Sequence, residues 1–133
     1  MGLLVVDAMN VIGSRPDGWW RDRDGAARRL VQRVQSLARD ADEDEVVVVL
    51  DGRPLDDLPE GEHDGVRVLY ARRSGRDAAD DRIVELLEDL DDAGDVTVVT
   101  SDRDLRARAR ELGATVTGAG GFLTRLDAAG DKR

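Results

Sequence analysis

Gly2-Leu3-Leu4-Val5-Val6-Asp7 is an unbroken apolar run that stops in a carboxylate, and Ala8-Met9-Asn10 follows it with an amide three positions on. A short continuous apolar run marks a strand covered on both faces, as in a parallel sheet. An acid at its end stands at the rim of the core, on the carboxyl side of the sheet. The pattern returns in Val46-Val47-Val48-Val49-Leu50-Asp51 and, lengthened, in Val96-Thr97-Val98-Val99-Thr100-Ser101-Asp102. Ligands of parallel sheets bind outside the carboxyl ends of the strands. Asp7, Asp51 and Asp102 are therefore expected to face one crevice.

The segments between these strands alternate with them in type. Ala27, Leu30, Val31, Val34, Leu37 and Ala38 follow helical spacing and predict a helix from Asp24 to about Arg39. Val66 to Tyr70 reads as a further strand and Ala79 to Asp91 as a helix with Asp80 and Asp81 in its first turn. Ser101 to Leu112 predicts another helix, closed by Gly113, and Ala114 to Thr117 a short strand. Val11 to Asp22, holding Gly13, Pro16 and Gly18, reads as a long loop. Leu55 to Asp64 reads as an acidic loop, and Gly118 to Gly121 as a flexible one, with a last helical turn at Phe122 to Leu126. The order β-α-β-β-α-β-α-β predicts an α/β fold with a mostly parallel sheet covered by helices on both faces. One domain over 1–133 is expected, with about 128–133 as a frayed tail.

Composition narrows the function classes. The 133 residues hold no cysteine, which excludes disulfides and thiolate metal sites. No apolar run approaches the ~20 residues of a membrane span, and the start lacks the basic flank of a signal peptide, so a cytoplasmic protein is expected. A net charge of −9 argues against a uniformly basic nucleic-acid binder. The arginines qualify this, because Arg15, Arg21, Arg23, Arg53, Arg72, Arg73 and Arg76 fall in or near predicted loops. His63, the only histidine, lies in a loop and reads as solvated. Trp19 and Trp20 read either as cover for the core or as a stacking platform for an unpaired base.

Carboxylates gathered in one cleft repel each other unless a cation neutralises them or they take up protons. All-oxygen donors suit magnesium or manganese. Such an ion stabilises charge on a phosphodiester and acidifies a bound water. Asp102 also reads as a helix cap and Asp80 and Asp81 as partners of a helix dipole, whereas nothing in a strand-end acid such as Asp7 or Asp51 stabilises the strand itself. Asn10 reads as a turn residue or as a contact to a metal-bound water or phosphate.

Val6-Asp7-Ala8-Met9-Asn10-Val11-Ile12-Gly13, Leu50-Asp51-Gly52, Ala79-Asp80-Asp81-Arg82-Ile83 and Val99-Thr100-Ser101-Asp102, in that order, resemble the YacP-like NYN-domain family of the PIN-like nuclease superfamily. The resemblance implies a PIN-like α/β fold and metal-dependent, endonucleolytic cleavage of RNA. It implies catalytic roles for Asp7, Asn10, Asp51, Asp80 and Asp102, with Asp81 as an auxiliary metal ligand beside Asp7, Asp51, Asp80 and Asp102. It also implies a longer, charged C-terminal helix where this sequence has Asp127-Ala128-Ala129-Gly130. Arg15, Arg21, Arg53, Arg72, Arg73 and Arg76 are expected to rim the cleft and, with Asn10 and Ser101, to hold a single-stranded RNA. The other readings are an RNA- or ribosome-associated binding module with little or no cleavage, and a phosphoacceptor receiver domain. The latter resemblance requires an acid pair at the first strand and a lysine after the last, whereas the only lysine is Lys132.

Overall fold

The computed structural model describes residues 2–41, 45–71, 78–90 and 93–131. The elements are β1 (Leu3–Asp7), α1 (Ala8–Gly13), α2 (Arg23–Ala41), β2 (Glu45–Leu50), β3 (Gly61–His63), β4 (Val66–Tyr70), α3 (Ala78–Glu88), β5 (Val96–Val99), α4 (Arg103–Glu111), β6 (Thr115–Thr117) and α5 (Ala119–Asp131), with a 3-10 turn at Trp19–Arg21. The strands form one sheet in the order β3-β4-β2-β1-β5-β6. All neighbours run parallel except β3, which lies antiparallel on the β4 edge. No described helix is long and apolar enough to cross a membrane.

Alternation along each strand builds two cores. Leu4, Val6, Val46, Val48, Leu50, Val66, Val68 and Tyr70 point to one face, under α1, α2 and α5. Val5, Val47, Val49, Leu69, Val96 and Val98 point to the other, under α3 and α4. A strand buried on both faces has no polar side, which explains the continuous apolar runs.

The topology selects one place on the sheet edge. From β1 the chain crosses to β2 and then β4 on one side, and α3 carries it back across to β5 on the other side of β1. The strand order therefore reverses between β1 and β5, where a crevice opens at the carboxyl ends of an open α/β sheet. Asp7 ends β1, and Thr100-Ser101-Asp102 follow β5 at this point.

Four expected loops or ends differ. The segment after Asp7 turns directly into α1, because Ala8, Val11 and Ile12 bury one side of a helix against the sheet. The acidic loop at 55–64 supplies β3, whose Gly61 at φ +129° adopts a conformation open to glycine. Gly118–Gly121 is not flexible, since residues 119–121 are the first turn of α5. Phe122, Leu123 and Leu126 anchor that helix in the core, which outweighs the helix cost of glycine, about 1 kcal/mol each. The expected frayed tail is helical as far as Asp131.

Candidate active site

Asp7 is the buried acid of the site, only 5% exposed. It stands at the N-cap position of α1, yet its side chain makes no cap hydrogen bond of proper geometry. Its partner is Thr100, whose fully buried hydroxyl donates to Asp7 Oδ2 at 2.9 Å. Burial pushes the Asp7 carboxyl up from 3.8 to about 6; the Thr100 hydrogen bond and the backbone N–H of Asn10 oppose the rise, and the negative charges of Asp102 and Asp51 add to it. Three expected acids thus act on one another electrostatically at the switch point.

The segment from Thr100 to Asp102, between β5 and α4, is pinned from both sides. Thr100 Oγ1 accepts from the Asp102 backbone N–H at 3.1 Å. Asp102 Oδ1 in turn accepts from the Leu105 N–H at 3.1 Å and caps α4. Asn10 Oδ1 accepts from the Ser101 N–H at 2.8 Å. Ser101 Oγ accepts from the Ala119 N–H at 2.9 Å, tying the site to α5. Asn10 and Ser101 therefore brace the backbone of the crevice in this arrangement. Thr100 was not among the expected site residues; its signal is a hydroxyl embedded between Val99 and Ser101-Asp102 directly beside the strand that ends in Asp7.

Asp51 and Asp81 are turned to other partners. Alternation would put Asp51 on the same face as Asp7, but β2 ends at Leu50. The Asp51 carboxylate instead lies 3.6 Å from Arg23 at the start of α2, which packs on the opposite face. Asp81 Oδ1 lies 3.4 Å from Arg108 Nη1 on α4. Asp80 is buried in the first turn of α3. Among the described residues, no three side chains of His, Cys, Asp or Glu stand together closely enough to hold a metal. The donor chemistry suits a hard divalent cation, while the rotamers are committed to Arg23, Arg108 and the α4 cap. Closing a ligand set around an ion requires these side chains to draw inward.

The arginines divide. Arg53 and Arg23 line a cavity of about 560 Å³ beside Asp51, with Met9, Leu55 and Tyr70. Arg15 does not rim it: α1 carries the chain away from the end of β1, and Arg15 pairs with Asp127 of α5 at 2.7 Å, which Arg33 also holds. Arg15 lines a separate, smaller cavity with Trp19, Arg29 and Arg33. Arg21 belongs to the 3-10 turn. Arg72, Arg73 and Arg76 lie outside the described residues. Trp19 packs against the core, in line with the first of the two expectations, and Trp20 is exposed.

The model of the YacP-like NYN domain matches residues 4–133. The chain belongs to the YacP-like NYN-domain family. Two crystal structures of Rae1 (YacP) from Bacillus subtilis, one of them the W164L mutant, superpose on it with a TM-score of 0.77 at 24% identity. The match covers 99% of this chain and 79% of the mutant Rae1 chain, or 77% of the other. No curated protein matches the chain. The likeness to the solved structures fixes the fold, the α/β architecture expected for a YacP-like NYN domain.

Proposed function

We propose that this NYN domain is a divalent-metal-dependent endoribonuclease acting on single-stranded RNA in the cytoplasm. The observation that carries the proposal is Asp7: a carboxyl desolvated at the topological switch point, bonded to Thr100 and raised further by Asp102 and Asp51. A protein keeps an acid in so costly a position for chemistry more readily than for stability. Membership of a nuclease family supports RNA as the substrate.

Asp7, Asp51, Asp80 and Asp102 would hold magnesium or manganese, with Asp81 as an auxiliary donor. When bound, the ion supplies charge neutralisation at the phosphodiester and an acidified water. Thr100 fixes the direction of the Asp7 carboxylate. Asn10 and Ser101 set the crevice backbone against which a phosphate rests. Arg53, exposed at the cavity mouth, supplies a bidentate donor for a phosphate beside Asp51, and Arg23 provides a second once it leaves that acid. Without the ion, Asp7 takes up a proton near pH 6.

Incubating single-stranded RNA with manganese, with and without chelator, tests this. Cleavage by the wild type and its loss in Asp7→Asn are expected. Equal, robust cleavage by both would remove Asp7 from the chemistry. One observation favours the second reading, an RNA- or ribosome-associated module with little cleavage: the described acids do not close a ligand set. Binding that survives chelation, with no cleavage of any RNA, is the outcome that reading requires.

A further inference from the structure

Helix α4 carries four arginines, and its geometry sorts them. Leu105 and Ala109 are buried and define the inward side. With 3.6 residues per turn, Arg103, Arg106 and Arg110 fall on one flank within a wedge about 60° wide. Asp104 and Glu111 fall on the other flank, where Arg108 meets Asp81 of α3 at 3.4 Å. One flank is thus acidic and paired, and the other holds only arginines. Among the described residues, the side chains of Arg103, Arg106 and Arg110 have no hydrogen-bond or ion-pair partner. Arg103 and Arg110 are exposed and Arg106 is half-buried.

Among the described residues Arg21, Arg29, Arg39, Arg53 and Arg67 also make no ion pair, but they are spread over four parts of the chain, whereas these three share one helix flank. Acids outnumber bases 29 to 20, and Arg15, Arg23, Arg28, Arg33, Arg82 and Arg108 all lie beside a carboxylate. Three neighbouring arginines with no carboxylate partner among the described residues, on a single helix flank, make a local positive strip in a negative field. Its position adds direction. The strip begins one residue after Asp102, at the crevice, and runs about 10 Å along the helix toward the other end of the sheet. Guanidinium groups in a row offer forked donors to successive phosphates.

We propose that this flank of α4 is a track for the sugar–phosphate backbone of a single-stranded RNA, leading the strand into or out of the crevice. The proposal rests on RNA being the substrate. The track reads no base, so it contributes affinity and register without sequence preference.

The test is binding of a labelled single-stranded oligoribonucleotide, by fluorescence anisotropy between 50 and 200 mM salt, in the Asp7→Asn background so that the strand stays whole. Each phosphate contact contributes about 0.7 to the slope of log affinity against log salt on a single strand. Replacing Arg103, Arg106 and Arg110 by Gln is expected to make that slope shallower by about 2 and to weaken binding at least tenfold at the low-salt end. The control, Arg39→Gln with Arg67→Gln, removes exposed arginines on α2 and β4 and is expected to keep the slope. A triple variant with the slope and affinity of its parent overturns the track while leaving RNA as the ligand. Losses per charge equal to those of the control overturn it as well, by reducing the effect to net charge. A parent that binds no RNA removes the substrate reading and the track with it. Circular dichroism of the triple variant separates lost contacts from lost helix, since none of the three arginines belongs to either hydrophobic core.

Discussion

Replacing Asp7 by Asn is expected to stabilise the metal-free protein at neutral pH. The carboxyl is raised from 3.8 to about 6, first by burial and then by the charges of Asp102 and Asp51. The difference of about 2 pH units, at about 1.4 kcal/mol each, sets the cost of ionised Asp7 in the folded state near 3 kcal/mol. The sign follows from proton counting. Between about pH 4 and 6 the folded chain holds a proton on Asp7 that the unfolded chain has released. Stability therefore falls as pH rises through this window, and the contribution of the protonated form is gone above pH 6. An Asn side chain fills the same volume, still accepts from the Thr100 hydroxyl through its amide oxygen, and carries no charge to desolvate.

The assay is urea unfolding followed by the fluorescence of Trp19 and Trp20, run on both proteins from pH 4 to pH 8 without divalent ions. Comparing the pair cancels the pH dependence of the carboxylates that do not interact with Asp7. The expected gain for Asp7→Asn is small at pH 4 and grows to about 3 kcal/mol by pH 7.5. Added manganese should then stabilise the wild type by RT ln(1 + [L]/Kd) and leave the variant nearly unchanged, narrowing the gap. An Asn variant that is no more stable than wild type at pH 7.5, with a parallel pH profile, would refute the desolvation of Asp7. The argument for a costly acid kept for chemistry would fall with it.

Other substitutions separate roles that share a residue. Asp102→Asn keeps an oxygen for the Leu105 N–H and should leave stability almost unchanged while lowering cleavage, whereas Asp102→Ala loses the cap as well and should cost about 1 kcal/mol in the same urea assay. Thr100→Val removes the hydrogen bond that holds the Asp7 carboxyl down; it should shift the pH-rate profile to higher pH and free the Asp102 N–H. Tyr70→Phe strips the acceptor of the Leu55 N–H and the donor to the Leu58 carbonyl. A loss of about 1–3 kcal/mol is expected, with faster proteolysis of the 55–58 segment beside the Asp51 cavity. Phe122→Ala, which empties a fully buried site under α5, should cost about 3–5 kcal/mol and show that the glycine-bearing helix is held by its core contacts.

The sheet was legible because strands buried on both faces write themselves as apolar runs, and β1, β2 and β5 are such runs. Their pairing order was not legible, since nothing local in Val46–Leu50 states which neighbour it takes. The helices α2, α3 and α4 showed their stripes. Two others did not: α1 is six residues long, too short for a period to declare itself, and the first turn of α5 holds two glycines that read as a loop until Phe122 is seen in the core. The acids were legible as positions. Their orientation was not, because it depends on Arg23 and Arg108, residues on α2 and α4 that approach only after the fold has formed. Arg15 is the same case: a loop arginine near Asp7 in sequence, but delivered by α1 to Asp127, 112 residues away.

The site's tension follows from these partners. Asp7 is desolvated and has a hydroxyl for company, and Asp51, Asp81 and Asp102 satisfy themselves on an arginine, another arginine and a helix cap. The two ion pairs are partly exposed and long, at 3.6 Å for Arg23 and 3.4 Å for Arg108, and exposed ion pairs of this kind hold weakly. Exchanging them for a common cation costs little at Asp51 and Asp81, while ionised Asp7 gains most from it, because its charge is the one with least water around it. Binding would thus be driven from the buried acid and completed by the mobile ones. On this account Arg23→Gln should tighten manganese affinity of the metal-binding form rather than weaken it, by releasing Asp51, and titration calorimetry on wild type and variant reads the sign directly. A weaker affinity in Arg23→Gln would mean that Asp51 needs its arginine in order to serve the ion, and that the pair belongs to the assembled site.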